Sequence, residues 1–128
     1  MQLLAPISVG ELIDKITILK IKQKKANNSK QLENIERELN ELEQTWENNK
    51  ASDLDISDLF AQLTKVNEAL WNIEDDIRAK EAANTFDNDF VQLARSVYKQ
   101  NDLRAELKKQ INLRTGSTLV EEKLYQDY

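Results

Sequence analysis

Apolar residues recur along this chain at spacings of three and four almost from end to end. That is the pattern of helices packed lengthwise on other helices. It predicts an all-α fold of one domain over 1–128, with four main helices at about 9–26, 30–49, 54–83 and 88–115 and a short one at about 119–125. The order and spacing suggest two antiparallel helical hairpins. Ser8-Val9-Gly10-Glu11 fits a capping box, with Pro6 just ahead and Ile7 and Leu12 at the two hydrophobic-staple positions, so the first helix starts near Val9. Its seam is Val9, Leu12, Ile16 and Leu19, with Ile13 beside it; Ile18 and Ile21 lie nearly opposite, together with Asp14. Apolar residues on two sides predict a central helix or a second partner. The second helix carries one narrow seam, Leu32, Ile35, Leu39, Leu42 and Trp46, among charged positions.

The third helix carries two adjacent stripes. Ile56, Leu59, Leu63, Val66, Leu70, Ile73 and Ile77 form an apolar seam, and one residue further on Asn67, Trp71, Glu74, Arg78 and Glu81 repeat at the same spacing. A polar stripe beside a buried seam must find partners within the protein or in a ligand. In the fourth helix the inward sector begins as Phe90, Ala94 and Val97 and continues as Asn101, Arg104, Lys108 and Asn112, with Tyr98 on its flank. If these two helices pair antiparallel through the turn near 84–87, residues whose numbers sum to about 171 face each other. Asn67 then lies near Arg104, and Trp71 near Tyr98 and Asn101. Glu74, Arg78, Arg104 and Lys108 are expected to converge. Two readings follow: a closed ion-pair network that fixes register, or a cleft for a small polar or anionic ligand. In the second, Arg78, Arg104 and Lys108 supply charge and Trp71 or Tyr98 a stacking face. Thr118-Leu119-Val120-Glu121 is a further capping box and predicts the short last helix.

Composition narrows the class. With 128 residues, two Gly, one Pro and 32% charged residues, the chain is helical in character and large enough for a core of its own. No Cys and no His leave carboxylates, Lys, Tyr or water for any catalysis. A net charge of −5 argues against sequence-independent nucleic-acid binding. The one basic cluster, Lys15, Lys20, Lys22, Lys24, Lys25 and Lys30, complements the end of the first helix. MQLLAPIS lacks the features of a signal peptide and nothing resembles a membrane span, so a cytoplasmic protein is expected, with no membrane partner.

Some helical Mg-dependent nucleoside triphosphate pyrophosphatases hold the metal with paired acids at i and i+3, and Glu11-x-x-Asp14, Glu33-x-x-Glu36 and Glu38-x-x-Glu41 have that spacing. Glu11 already serves the capping box and the others lie off the seam, so this is the alternative function rather than the preferred one. No phosphate-binding loop, metalloprotease motif or nucleophile elbow is present, and no catalytic residue, metal or cofactor is assigned. Residues 7–19 (ISVGELIDKITIL), 67–78 (NEALWNIEDDIR), 94–102 (ARSVYKQND) and 120–125 (VEEKLY) resemble a small family of uncharacterised bacterial and phage proteins. The resemblance spans essentially the whole chain. It implies a stand-alone, mostly helical domain and no particular activity, and it falls on most of both polar stripes. The segment Lys24 to Lys65 lies outside it and reads as spacer or assembly surface. The expected function is a non-enzymatic binding or assembly module, a homodimer with helix one or two at its interface.

Overall fold

The computed structural model describes all residues 1–128 and is entirely helical. Its elements are α1 (Val9–Lys25), α2 (Ser29–Glu47), a 3₁₀ turn (Lys50–Asp53), α3 (Ser57–Ala82) and α4 (Asn88–Thr115). Each boundary has a local cause. Ser8, Asn28 and Asp87 cap α1, α2 and α4 by accepting the backbone N–H of Glu11, Gln31 and Phe90. The start of α3 is delayed from about 54 to Ser57, because Asn49 turns the chain into the 3₁₀ segment and Asp55 accepts the Ser57 N–H at 2.9 Å. Asn84 adopts a left-handed conformation (φ 54°) between α3 and α4, and Gly116 (φ 65°) does so at the end of α4, where the Ser117 N–H reaches the Asn112 carbonyl at 2.9 Å.

The expected helix at 119–125 does not form; residues 117–128 carry no helix. Glu121, which would close its capping box, instead binds Lys108, and Lys123 binds Asp102. The segment is drawn out along α4 by its own charged side chains, and a helix this short gains too little from propagation to offset nucleation.

α1 packs on α2, α3 and α4, so it is the central helix. Leu12, Ile13, Ile16 and Leu19 join Leu39, Ile56, Leu59, Leu63, Leu107 and Ile111 in one apolar cluster. α3 and α4 run in opposite directions: Asp58 at the start of α3 meets Arg114 at the end of α4, and Lys80 near the end of α3 meets Asp87 before α4. At about 1.5 Å per residue, α1 is roughly 26 Å long and α3 roughly 39 Å. α1 therefore covers only part of the α3–α4 pair, and no residue between Asn67 and Leu107 is fully buried. No helix is long and apolar enough to cross a membrane.

The first turn of α1 is held by the end of α4. Its otherwise unpartnered amides are satisfied as Val9 N–H to Ser117 Oγ at 3.2 Å, Gly10 N–H to Asn112 Oδ1 at 2.6 Å and Glu11 N–H to Ser8 Oγ at 3.1 Å. Gly10 permits this approach, since a Cβ there would lie 2.5 Å from the Lys108 carbonyl oxygen and 3.0 Å from Asn112 Oδ1. Backbone at that distance cannot yield without moving α1 off α4. Gly10→Ala should therefore lower the melting temperature, although alanine is the better helix former by about 1 kcal/mol. A melting temperature equal to or above that of the unsubstituted protein would show that the two helices can separate freely.

Candidate functional site

A charged side chain is found at the centre of the bundle. Asp14 sits on the second face of α1, with its side chain 1% exposed, and three residues, one from each of α1, α3 and α4, surround it. Arg104 Nε donates to both carboxylate oxygens, at 3.0 Å to Oδ1 and 3.1 Å to Oδ2, and its terminal nitrogen also binds Oδ2. Asn67 Nδ2 donates to Asp14 Oδ1 at 2.9 Å and to Thr17 Oγ1 at 2.8 Å. Thr17 in turn donates its hydroxyl to the Asp14 carbonyl at 2.7 Å. One turn away, Lys108 Nζ lies 2.7 Å from both Glu11 Oε2 and Glu121 Oε2. Lys15 approaches the other Glu11 oxygen at 3.7 Å.

This network is electrically and sterically closed. No buried side-chain nitrogen or oxygen lacks a hydrogen-bond partner. The hydrogen bond to Asp14 raises the Arg104 pKa above its ordinary value, overcoming the opposing effect of burial. Burial by itself would lower the Lys108 pKa, but the hydrogen bonds to Glu11 and Glu121 override it and raise the net value. Both cations are thus held charged and matched. Glu11 forms only half of the expected capping box: its backbone N–H donates to Ser8 Oγ, while its carboxylate is turned toward Lys108 instead of back to the Ser8 N–H.

The residues singled out from the sequence divide into three groups. Asn67, Arg104 and Lys108 enter the buried network. Asn67, Trp71, Glu74 and Arg104, joined by Ile18, Leu70 and Asp75, line a shallow cleft of about 330 Å³ beside it. The rest lie elsewhere. Arg78 pairs with Glu74 at 3.7 Å on the surface with side chains 79% and 61% exposed, and Glu81 is exposed. Tyr98 packs edge-on against Tyr128 at 5.0 Å, and Asn101 is half-buried. Glu74 and Arg78 therefore do not join Arg104 and Lys108 in one charge cluster, because α1 does not reach far enough along α3 to bury them. Asp14, Glu11, Thr17 and Asn112 were not among the expected site residues, and Glu121 closes the network from the terminal segment. For Asp14 the signal is the second apolar face of α1: an acid beside Ile18 and Ile21 on a buried face requires a cation on a neighbouring helix.

Glu11 and Asp14, the acids with metal-ligand spacing, are occupied by Lys108 and Arg104, and no group of three or more acidic side chains comes together. A second concavity of about 380 Å³ lies near the α3–α4 turn, bounded by Asp76, Ala79, Lys80, Ala83, Thr85 and Leu93. Its lysine is already paired with Asp87 at 3.0 Å.

Fold and site together define an all-α protein built round a buried ion-pair network with a shallow cleft at its edge. The chain belongs to the family of unknown function DUF6165, whose profile matches residues 3–128. No curated protein and no solved structure matches it.

Two expectations follow from this chemistry. Arg104→Met should cost about 3 kcal/mol in denaturant unfolding, because it leaves the Asp14 carboxylate buried without its cation. Adding Asp14→Asn removes that stranded charge, so the double variant should be more stable than the sum of the two single losses by at least about 1 kcal/mol; simple additivity would dissolve the pair as an energetic unit.

The terminal segment is expected to respond to acid. Hydrogen bonds from Lys123 and Tyr128 hold the Asp102 carboxyl below its ordinary value of 3.8. A depressed folded-state pKa gives stabilisation that is complete above the unfolded value and lost as pH falls through the folded one. Residues 118–128 should therefore loosen below pH 3.8, and Asp102→Asn should loosen them at neutral pH. Backbone heteronuclear NOE values measure this; unchanged values in Asp102→Asn would show that the segment is held by other contacts.

Proposed function

We propose that this protein is a non-enzymatic helical binding and assembly module, built as two helical hairpins, that works as a homodimer and carries a ligand cleft between α3 and α4. One observation carries the assembly half of this reading. The chain exposes 9115 Å², against about 7,000 Å² for a compact monomer of 14.9 kDa. Part of the excess, about 2,000 Å², belongs to the extended terminal segments, where Leu3, Leu4 and Leu124 lie open to solvent; a standard interface takes about 800 Å² from each partner.

The distribution of exposure supports α2 as part of the contact. α1 satisfies both of its apolar faces inside the chain, with Leu19 and Ile21 each 4% exposed. α2 buries only Leu39 completely and leaves Leu32, Ile35, Leu42 and Trp46 half-buried. Ile35, Leu42 and Trp46 already pack against the core of their own chain, so a second copy related by a two-fold axis would cover only the flank of this seam that stays open, beginning at Leu32. The cleft half of the reading rests on the concavity beside Arg104, where polar and aromatic side chains converge next to a rigid network.

Sedimentation equilibrium at micromolar concentration should give twice the 14.9 kDa chain mass. Leu32→Glu should return the protein to that single-chain mass with unchanged helical circular dichroism. A single-chain mass for the unsubstituted protein would remove the dimer.

A further inference from the structure

The cleft reverses the charge that its sequence suggests. Arg104 is its one cationic wall, and it is spent on Asp14, which it binds through both carboxylate oxygens. Arg78 does not line the cleft, and Lys108 lies one turn deeper between Glu11 and Glu121. Arg104 and Asp14 cancel, so the charge open to a guest is that of Glu74 and Asp75. Glu74 has only a loose surface contact with Arg78, at 3.7 Å, and Asp75 has no ion-pair partner. An anion entering here would face two carboxylates and find no uncommitted cation.

The remaining walls have a matching character. Ile18 and Leu70 give an aliphatic side, and Trp71 gives an aromatic one. An aliphatic wall suits a methylene chain, a ring face attracts a cation, and carboxylates accept ammonium hydrogen bonds. Acids alone would not make a site; here they rim a concavity of about 330 Å³ that also has the two apolar surfaces an alkyl stem requires.

We propose that the Ile18–Leu70–Trp71–Glu74–Asp75 cleft binds a primary alkylammonium group, its methylenes against Ile18 and Leu70 and its charge between Trp71 and the two carboxylates. This rests on the cleft reading above and supplies its ligand class. Two sources share the chemistry: a free aliphatic diamine and a lysine side chain presented by a protein.

Tryptophan resonances can read the site directly. The chain has two tryptophans, so in a Trp46→Phe background the indole N–H signal belongs to Trp71. Titration with 1,5-diaminopentane should shift this signal and saturate with a midpoint of about 1 mM. Glu74→Gln with Asp75→Asn, both surface changes, should weaken the response at least about tenfold while the thermal transition stays in place. Nα-acetyl-lysine methylamide is the second probe: tighter binding than the diamine assigns the site to a lysine side chain, and weaker binding to a free amine. The controls are inorganic phosphate and 1,5-pentanediol. A phosphate or diol response equal to the amine response overturns the ammonium assignment and leaves the cleft standing. An unaltered amine response in the double variant also overturns it. No response to any of the four compounds removes both the assignment and the cleft reading, whereas a monomer that still binds amine removes only the dimer.

Discussion

A carboxylate with 1% of its side chain exposed cannot remain charged inside a protein unless the fold brings it a cation and hydrogen-bond donors. Asp14 therefore constrains the relative placement of three helices. Arg104 must come from α4 and Asn67 from α3, and both must meet α1 at the same level. Apolar packing of Ile13, Leu63 and Ile111 tolerates small slides along the helix axes; a bidentate guanidinium contact and a two-donor amide do not. The Gly10–Asn112 and Glu11–Lys108 contacts extend the same register toward the start of α1. Apolar burial supplies the driving force, and the polar network selects one arrangement of it.

The same constraint explains why the cleft has its present character. Once Arg104 is paired with Asp14 and Lys108 with Glu11, the cations of α4 bring no uncompensated charge to the groove, although Arg104 still forms part of its wall. Glu74 and Asp75 keep their positions on the outer turn of α3, so the rim is acidic. A ligand sign inferred from which charged residues lie near a cleft differs from one inferred after their internal pairings are counted.

Much of the helical frame was legible in the sequence because its signals are local. The cap at Ser8 and the three-four seams each report on a few neighbouring residues. The polar tract of α4, Arg104, Lys108 and Asn112, was likewise visible as an interrupted apolar stripe. The acids it pairs with carry a less specific signal: Glu11 and Asp14 have metal-ligand spacing and Glu11 also fits a capping box, while the apolar neighbours Ile18 and Ile21 place Asp14 on a buried face. The stripe through Glu74, Arg78 and Glu81 was extended too far because periodicity says which face points inward and not how long a partner covers it. At 17 residues, α1 is shorter than α3 by nine, and the stripe emerges into solvent where α1 ceases to shield it. The terminal segment shows the converse case, in which long-range pairs from Glu121 and Lys123 to α4 override a local capping signal.

Part of the excess surface lies in the extended terminal segments, where Leu3, Leu4 and Leu124 are open to solvent, and unequal helix lengths add to it within the bundle. A short central helix can cover the facing halves of α2, α3 and α4 but leaves the outer side of α2 and the far part of the α3–α4 pair without a third layer. Half-buried Leu70, Ile73, Ile77, Leu93 and Val97 meet mainly across that pair. Lengthening α1 would cover more of them, but the lysines at its end, Lys22, Lys24 and Lys25, suit the helix dipole and a solvated turn rather than an apolar interface. The uncovered seams are thus a consequence of where α1 stops. A further helix laid along such a seam would complete its burial, and the polar network round Asp14 fixes where on the bundle that seam lies.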